Sequence, residues 1–151
     1  MNCDVQIVDS PTQWIAVLTG EATPETLALK LREMFDEFYR RVDLVDTGKR
    51  GLNVIYYPAW HSTRPFPIEV GIKVDNSFPE SGGIVCSKIP AGRAATALHI
   101  GPYSQLHKPH GAIRRWCADR GLELAGASWE AYGHWNKDPN QCSTAVYYLL
   151  A

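Results

Sequence analysis

Apolar residues along this chain alternate with polar ones, then recur at helical spacing, then alternate again, and the whole order runs twice. Val5 and Ile7 alternate with polar neighbours, and residues 14–18 form an apolar run that reads as a strand closed by Gly20. Thr23-Pro24-Glu25 supplies an N-cap, a proline for the first helical position and an acid for the positive end of the helix dipole. Leu27, Leu31, Met34, Phe35, Phe38 and Val42 then mark one face of an amphipathic helix. Gly48 and Gly51 interrupt it, and 52–57 and 68–74 read as two strands. The segment between them, with Pro58, Pro65 and Pro67, is too proline-rich for a central strand and reads as a loop.

The second half repeats the order. A strand-like stretch at 84–89 leads through Pro90 and Gly92 into a strand over 94–100, stopped by Gly101-Pro102. Leu106, Ile113, Trp116 and Cys117 give a helix face between 104 and 120, ended by Gly121, with Pro109 predicting a kink or restart. Strands over 128–135 and 143–150 follow, separated by a turn at 136–140. Strand, helix, strand, strand therefore appears twice, in halves spanning 1–76 and 82–151. One half buries too little apolar surface to stand alone. The expectation is a single α+β domain over 1–151 whose halves share a sheet and leave a groove at their junction.

Composition narrows the function classes. The 151 residues carry 15 basic and 16 acidic side chains, a net charge of −1 that lacks the basic footprint of a nucleic-acid binder. No run of ~18 apolar residues could span a membrane, and the N-terminus lacks a signal-peptide pattern. Cys3, Cys86, Cys117 and Cys142 show no metal or redox spacing, so the chain reads as cytoplasmic with reduced thiols. Five Trp, seven Tyr and four Phe exceed what one modest core needs, so some rings are expected to line a cavity.

Candidate chemistry is sparse. His107-Lys-Pro-His110 reads as surface histidines at a helix start, because Pro109 spoils a two-ligand face, and no metal is expected. Arg40-Arg41 and Arg114-Arg115 read as solvated pairs, and neither a phosphate loop nor an activated Ser or Cys is present, so no cofactor is expected. Glu130 stands out. Strand alternation puts it on one face with Ser128, Tyr132 and His134, and a carboxylate among rings must raise its own pKa or find a partner. Tyr56, Pro58 and Trp60 alternate on one face, and Trp60 and Phe66 in the proline-rich loop suggest a lid. Glu69 is a weaker second acid, placed in the strand equivalent to the last one.

Five segments in this order, His99-Ile-Gly-Pro-Tyr-Ser-Gln-Leu106, Trp116 with Gly121, Trp129-Glu-Ala-Tyr132, Asp138-Pro139 and Thr144-Ala-Val-Tyr-Tyr-Leu-Leu150, resemble the GyrI-like family. That family is also the effector-binding domain of AraC-type and MerR-type multidrug regulators. The resemblance is strongest over 90–150 and is supported earlier by Pro58 and by Ile68-Glu-Val-Gly-Ile-Lys-Val74. It implies a duplicated strand–helix–strand–strand fold, a curved antiparallel sheet with two helices on one side, and a pocket at the pseudo-twofold junction. It also implies that Glu130 lies at the pocket bottom and that Tyr103, Tyr132 and Tyr147 are pocket rings. The regulators' helix-turn-helix domain has no room here, so a stand-alone form is expected.

Three functions compete on this reading. The first is a binding protein, monomer or weak dimer, for bulky aromatic or cationic small molecules. In the second, a hydrolase that opens strained rings, Glu130 activates water and Tyr132 or Tyr103 polarises the leaving carbonyl. The third is a protein-partner modulator of the gyrase-inhibiting kind, to which the mildly acidic first half would contribute. A haem-binding variant of the fold is a further alternative.

Overall fold

The computed structural model describes residues 4–151, so Cys3 lies outside the described residues. Eight strands and two helices follow in chain order. They are β1 (Gln6–Ser10), β2 (Gln13–Ala22), α1 (Leu27–Arg41), β3 (Arg50–Tyr57), β4 (Phe66–Val74), β5 (Val85–Ile89), β6 (Gly92–Ile100), α2 (His107–Asp119), β7 (Leu124–Tyr132) and β8 (Ser143–Leu150). All eight strands form one antiparallel sheet in the order β1-β6-β8-β7-β3-β4-β2-β5. That order is a palindrome of the two halves, with β3 and β7 meeting at its centre.

Each half carries one more strand than the predicted module. β1 and β5 were visible as short alternating stretches, but each pairs with the opposite half: β1 with β6 and β5 with β2. This swap curves the sheet. In a flat sheet β1 and β2 would stand six strand spacings apart, roughly 29 Å at ~4.8 Å each. Only Pro11-Thr12 joins them, and two residues span ~10 Å, so the sheet must curl until its ends meet. Pro90-Ala91 does the same between β5 and β6, and the pairs Ser10–Gly92 and Gln13–Ile89 set the two links together.

The curl gives the sheet an inner and an outer face. Ile15, Val17, Val54, Ile89, Ala94 and Trp129 fill the inner face with no helix above them. Both helices lie on the outer face. Met34 and Phe38 of α1 bury against Leu18, Ile55, Val70 and Ile72, while Ile113 and Cys117 of α2 bury against Ala95, Ala97 and Val146. Tyr132 packs against both clusters and so marks the seam between the helices.

Local signals differ from expectation at the helix starts. Thr23-Pro24-Glu25 forms a turn before α1, in which the Thr23 N–H donates to Thr26 Oγ1 at 2.9 Å. A 3₁₀ turn over Tyr103–Gln105 precedes α2, and Pro109 falls in the first helical turn, where no backbone N–H is needed, so it produces no break. β7 begins at Leu124 and ends at Tyr132, earlier at both ends than predicted, with Gly126 at φ 106° where its register to β8 shifts. Phe66 opens β4 and is wholly buried, so it belongs to the core and not to the proline-rich loop.

Candidate functional site

The two halves meet along a single row of paired residues on the outer face. It runs Leu18–Val70–Ile55 in the first half and Glu130–Val146–Ala97 in the second, with Ile55 directly opposite Glu130. Five members are apolar. The sixth is a carboxylate only 5% exposed, set at the centre of the sheet.

Glu130 has the partners that its burial requires. The Tyr132 hydroxyl donates to Oε1 at 2.6 Å, and His110 Nε2 meets Oε2 at 2.6 Å. His110 reaches it from the first turn of α2, where Pro109 helps fix the backbone. The surface reading fits exposed His107 but not His110, which is half-buried and reaches Glu130 from the start of α2, a helix packed on β6 and β8. Behind His110, its Nδ1 lies 2.7 Å from the Tyr148 hydroxyl, and Arg114 Nη1 donates to that hydroxyl at 2.8 Å. Arg114, Tyr148, His110, Glu130 and Tyr132 thus form one continuous chain of hydrogen bonds.

Burial pushes the Tyr132 phenol well above its ordinary pKa of 10.0, and the neighbouring Glu130 adds to the effect. Tyr57, also beside Glu130, is raised well above 10.0 first by burial and then by that charge. Both phenols therefore stay protonated across the physiological range, and Tyr132 donates its proton to Glu130. Burial raises Tyr148 too, with the Arg114 guanidinium opposing.

Next to this network a groove of about 590 Å³ opens between α1 and the centre of the sheet. Leu31, Phe35 and Tyr39 of α1 form one wall, Leu52 and Ile55 of β3 the floor, and Tyr103, Tyr132 and Trp135 the other wall. Tyr103 stands edge-on to Tyr132 with ring centroids 5.2 Å apart. Arg32 and His134 lie at the rim, both exposed. Glu130 is not part of the lining; the Tyr132 ring separates it from the groove.

The remaining residues singled out from sequence are placed in three groups. Tyr103 and Tyr132 line the groove, and Glu130 lies behind Tyr132, whose hydroxyl it accepts from. Tyr56 and Tyr147 lie on the inner face, where Tyr147 stacks on Trp129 at 5.2 Å and Tyr56 meets the same indole edge-on at 6.5 Å. Glu69 shares that face, paired with Tyr56, and one of its oxygens is buried without a hydrogen-bond partner. Trp60 and Phe66 pack on each other at 4.3 Å and both meet the Tyr57 ring edge-on.

Sequence reasoning passed over His110, Tyr148, Arg114 and Tyr57. The one usable signal was that Glu130 needed a partner. Among the described residues no cluster of three or more metal-ligating side chains occurs, and no helix is long and apolar enough to cross a membrane.

Comparison with known proteins now bears on this geometry. The EcmrR C-terminal domain superposes with a TM-score of 0.80 at 21% identity, covering 100% of this chain and 99% of that one. EcmrR in its DNA complex matches at 0.77 and 17% identity, with this chain spanning 57% of it and 98% of this chain covered. SAV2435 bound to tetraphenylphosphonium matches at 0.70 and 9% identity, over 100% of this chain and 94% of that one. At these identities the likeness establishes the fold. Among curated proteins, no sequence matches. A family model matches residues 4–148, and the chain belongs to the GyrI-like small molecule binding domain family.

Proposed function

We propose that this chain captures aromatic, positively charged small molecules in the groove between α1 and β7, with Glu130 as the counter-charge behind it. The observation that carries this reading is a buried carboxylate separated from an aromatic groove by a single tyrosine ring. Tyr103 and Tyr132 are the rings that meet the ligand, and each cation–π or stacking contact contributes about 0.5–2 kcal/mol. Glu130 acts as a counter-charge from behind the groove, with Tyr132 and His110 holding its two oxygens in place. Tyr56 and Tyr147 serve the inner core, and Trp60 and Phe66 support Tyr57.

Binding is favoured over hydrolysis by the state of the carboxylate. A general base needs an oxygen within reach of water, and both Glu130 oxygens already accept hydrogen bonds. The tetraphenylphosphonium complex of SAV2435 supports the ligand class for that fold.

Tyr103→Ala and Phe35→Ala, titrated with tetraphenylphosphonium and with uncharged triphenylphosphine oxide, test the location. Both variants should weaken both ligands by roughly 5- to 30-fold, since each removes apolar contact of about 1–2 kcal/mol. Affinities equal to wild type for both ligands would place binding elsewhere.

A further inference from the structure

The two walls of the groove differ in charge. Residues on a helix advance about 100° each, so Ala28, Leu31, Arg32, Phe35 and Tyr39 fall within roughly 100° of arc on α1, and all five line the groove. Arg32 therefore belongs to the stripe that faces the groove, where a helix ordinarily presents apolar side chains. An arginine there adds its methylene stem to the apolar wall and keeps its charged head in water at the rim.

No acid of the protein neutralises that charge. Among the described residues Arg32 makes no ion pair, whereas Arg40, Arg41 and Arg50 are each tied to a carboxylate. Asp36, one helical turn further on, forms no ion pair with it. No acidic residue lines the groove. The carboxylate nearby is Glu130, behind the Tyr132 ring of the opposite wall, and Tyr132 and His110 already engage both its oxygens. The groove thus runs from an unpaired cation on the α1 side to a buried anion behind the β7 side.

A ligand charged at one end only is matched by one wall and opposed by the other. A cation drawn towards Glu130 meets a like charge at Arg32, and an anionic group on the same molecule turns that repulsion into attraction. The planar guanidinium presents paired N–H donors that fit a carboxylate. A groove of about 590 Å³ is of the size that takes a whole drug-sized molecule, so both ends of one ligand are held within it.

We infer that the groove selects zwitterionic aromatic ligands, with the cationic, ring-bearing end against Tyr103 and Tyr132 and a carboxylate at Arg32, a specificity-determining residue. This rests on the proposed binding reading and narrows its ligand class.

Two probes that share one triphenylphosphonium head isolate the contact. They are (3-carboxypropyl)triphenylphosphonium, whose carboxylate is ionised at neutral pH, and its methyl ester, which lacks that charge. The quantity read by calorimetric titration is the ratio of carboxylate to ester affinity. Arg32→Gln should lower this ratio roughly 2- to 5-fold, the scale of one solvent-exposed ion pair, and Arg32→Glu should lower it further. The wild-type ratio should also fall as salt is raised, and the ratio in Arg32→Gln should not. Arg32→Gln removes a like charge from the path of a plain cation, so it should bind tetraphenylphosphonium slightly more tightly than wild type does. Arg32 is exposed on a helix surface, so these substitutions leave the core intact.

Equal ratios in wild type and Arg32→Gln overturn the assignment of a carboxylate to Arg32 while leaving cation binding intact. Failure of wild type to bind either probe or tetraphenylphosphonium overturns the binding reading itself, and the selection of zwitterions with it.

Discussion

The two halves of this molecule share an architecture and differ at its centre. Where the first half places Ile55, the second places Glu130, and the sheet pairs them face to face. Around Ile55 lie Leu18, Val70 and Phe38, a plain apolar core under α1. Around Glu130 the same outer face carries Tyr132, His110, Tyr148 and Arg114 under the start of α2. A duplicated fold supplies two equivalent seats beside one axis. Chemistry arises here because only one seat was made polar and then fully satisfied. The apolar half gives the groove its α1 wall, and the polar half gives it a charge.

Making the halves alike should be the most damaging change. Ile55→Glu would bury a second carboxylate opposite the first with no donor to receive it, costing about 3–5 kcal/mol or more. Denaturant unfolding would measure this, and a loss under 1 kcal/mol would mean that the seam is open to water. Phe38→Ala, in the apolar half, should cost about 3–5 kcal/mol, since the ring is wholly buried. Both halves share one sheet, so near-ultraviolet and far-ultraviolet signals should still report one transition; two separate transitions would show that the halves unfold independently.

Smaller effects sharpen the contrast. Tyr132→Phe removes one donor from Glu130 and should cost about 0.5–1.5 kcal/mol at neutral pH by the same assay. High pH provides a further check. The folded-state pKa values of Tyr57 and Tyr132 lie well above the unfolded value of 10.0, so their stabilising effect is complete below that pH. It is lost progressively as pH rises beyond about 10, when the unfolded phenols ionise first. Alkaline unfolding of the double Phe variant should lose part of that steepness.

The smallest effect concerns the other strand acid. Burial raises the Glu69 carboxyl above its usual range, with Ser87 opposing, and one oxygen lacks a partner. A raised carboxyl pKa means that its ionised form costs stability once the pH passes the unfolded value. Glu69→Gln should therefore raise the melting temperature slightly at neutral pH and leave ligand affinity unchanged. A loss of affinity would bring the inner face into the site.

Much of this was legible along the chain. Periodicity located both helices and the long strands, because each buries a continuous apolar set on one face. The swap of β1 and β5 was not, since pairing across ~80 residues leaves no local mark; it follows only once two-residue links are set against sheet width. Alternation separated Tyr147 from Tyr148 but could not say which one faced the helices. That is settled by the pairing of Tyr148 with Ser128, two residues from Glu130 on the same face. His110 looked like a solvated residue beside a proline, because its partner lies 20 residues away on another element. The demand for a partner could be read from Glu130 alone, whereas its identity depended on how the start of α2 is set by its packing on β6 and β8.

The central claim is that Glu130 supplies charge and the groove supplies surface, and Glu130→Gln separates the two. Calorimetric titration of wild type and variant with tetraphenylphosphonium and triphenylphosphine oxide is the direct measurement. The account predicts that the variant binds the cation more weakly by about 1–3 kcal/mol and the uncharged ligand as wild type does. Equal affinities of wild type and variant for the cation would contradict it and make Glu130 a structural acid.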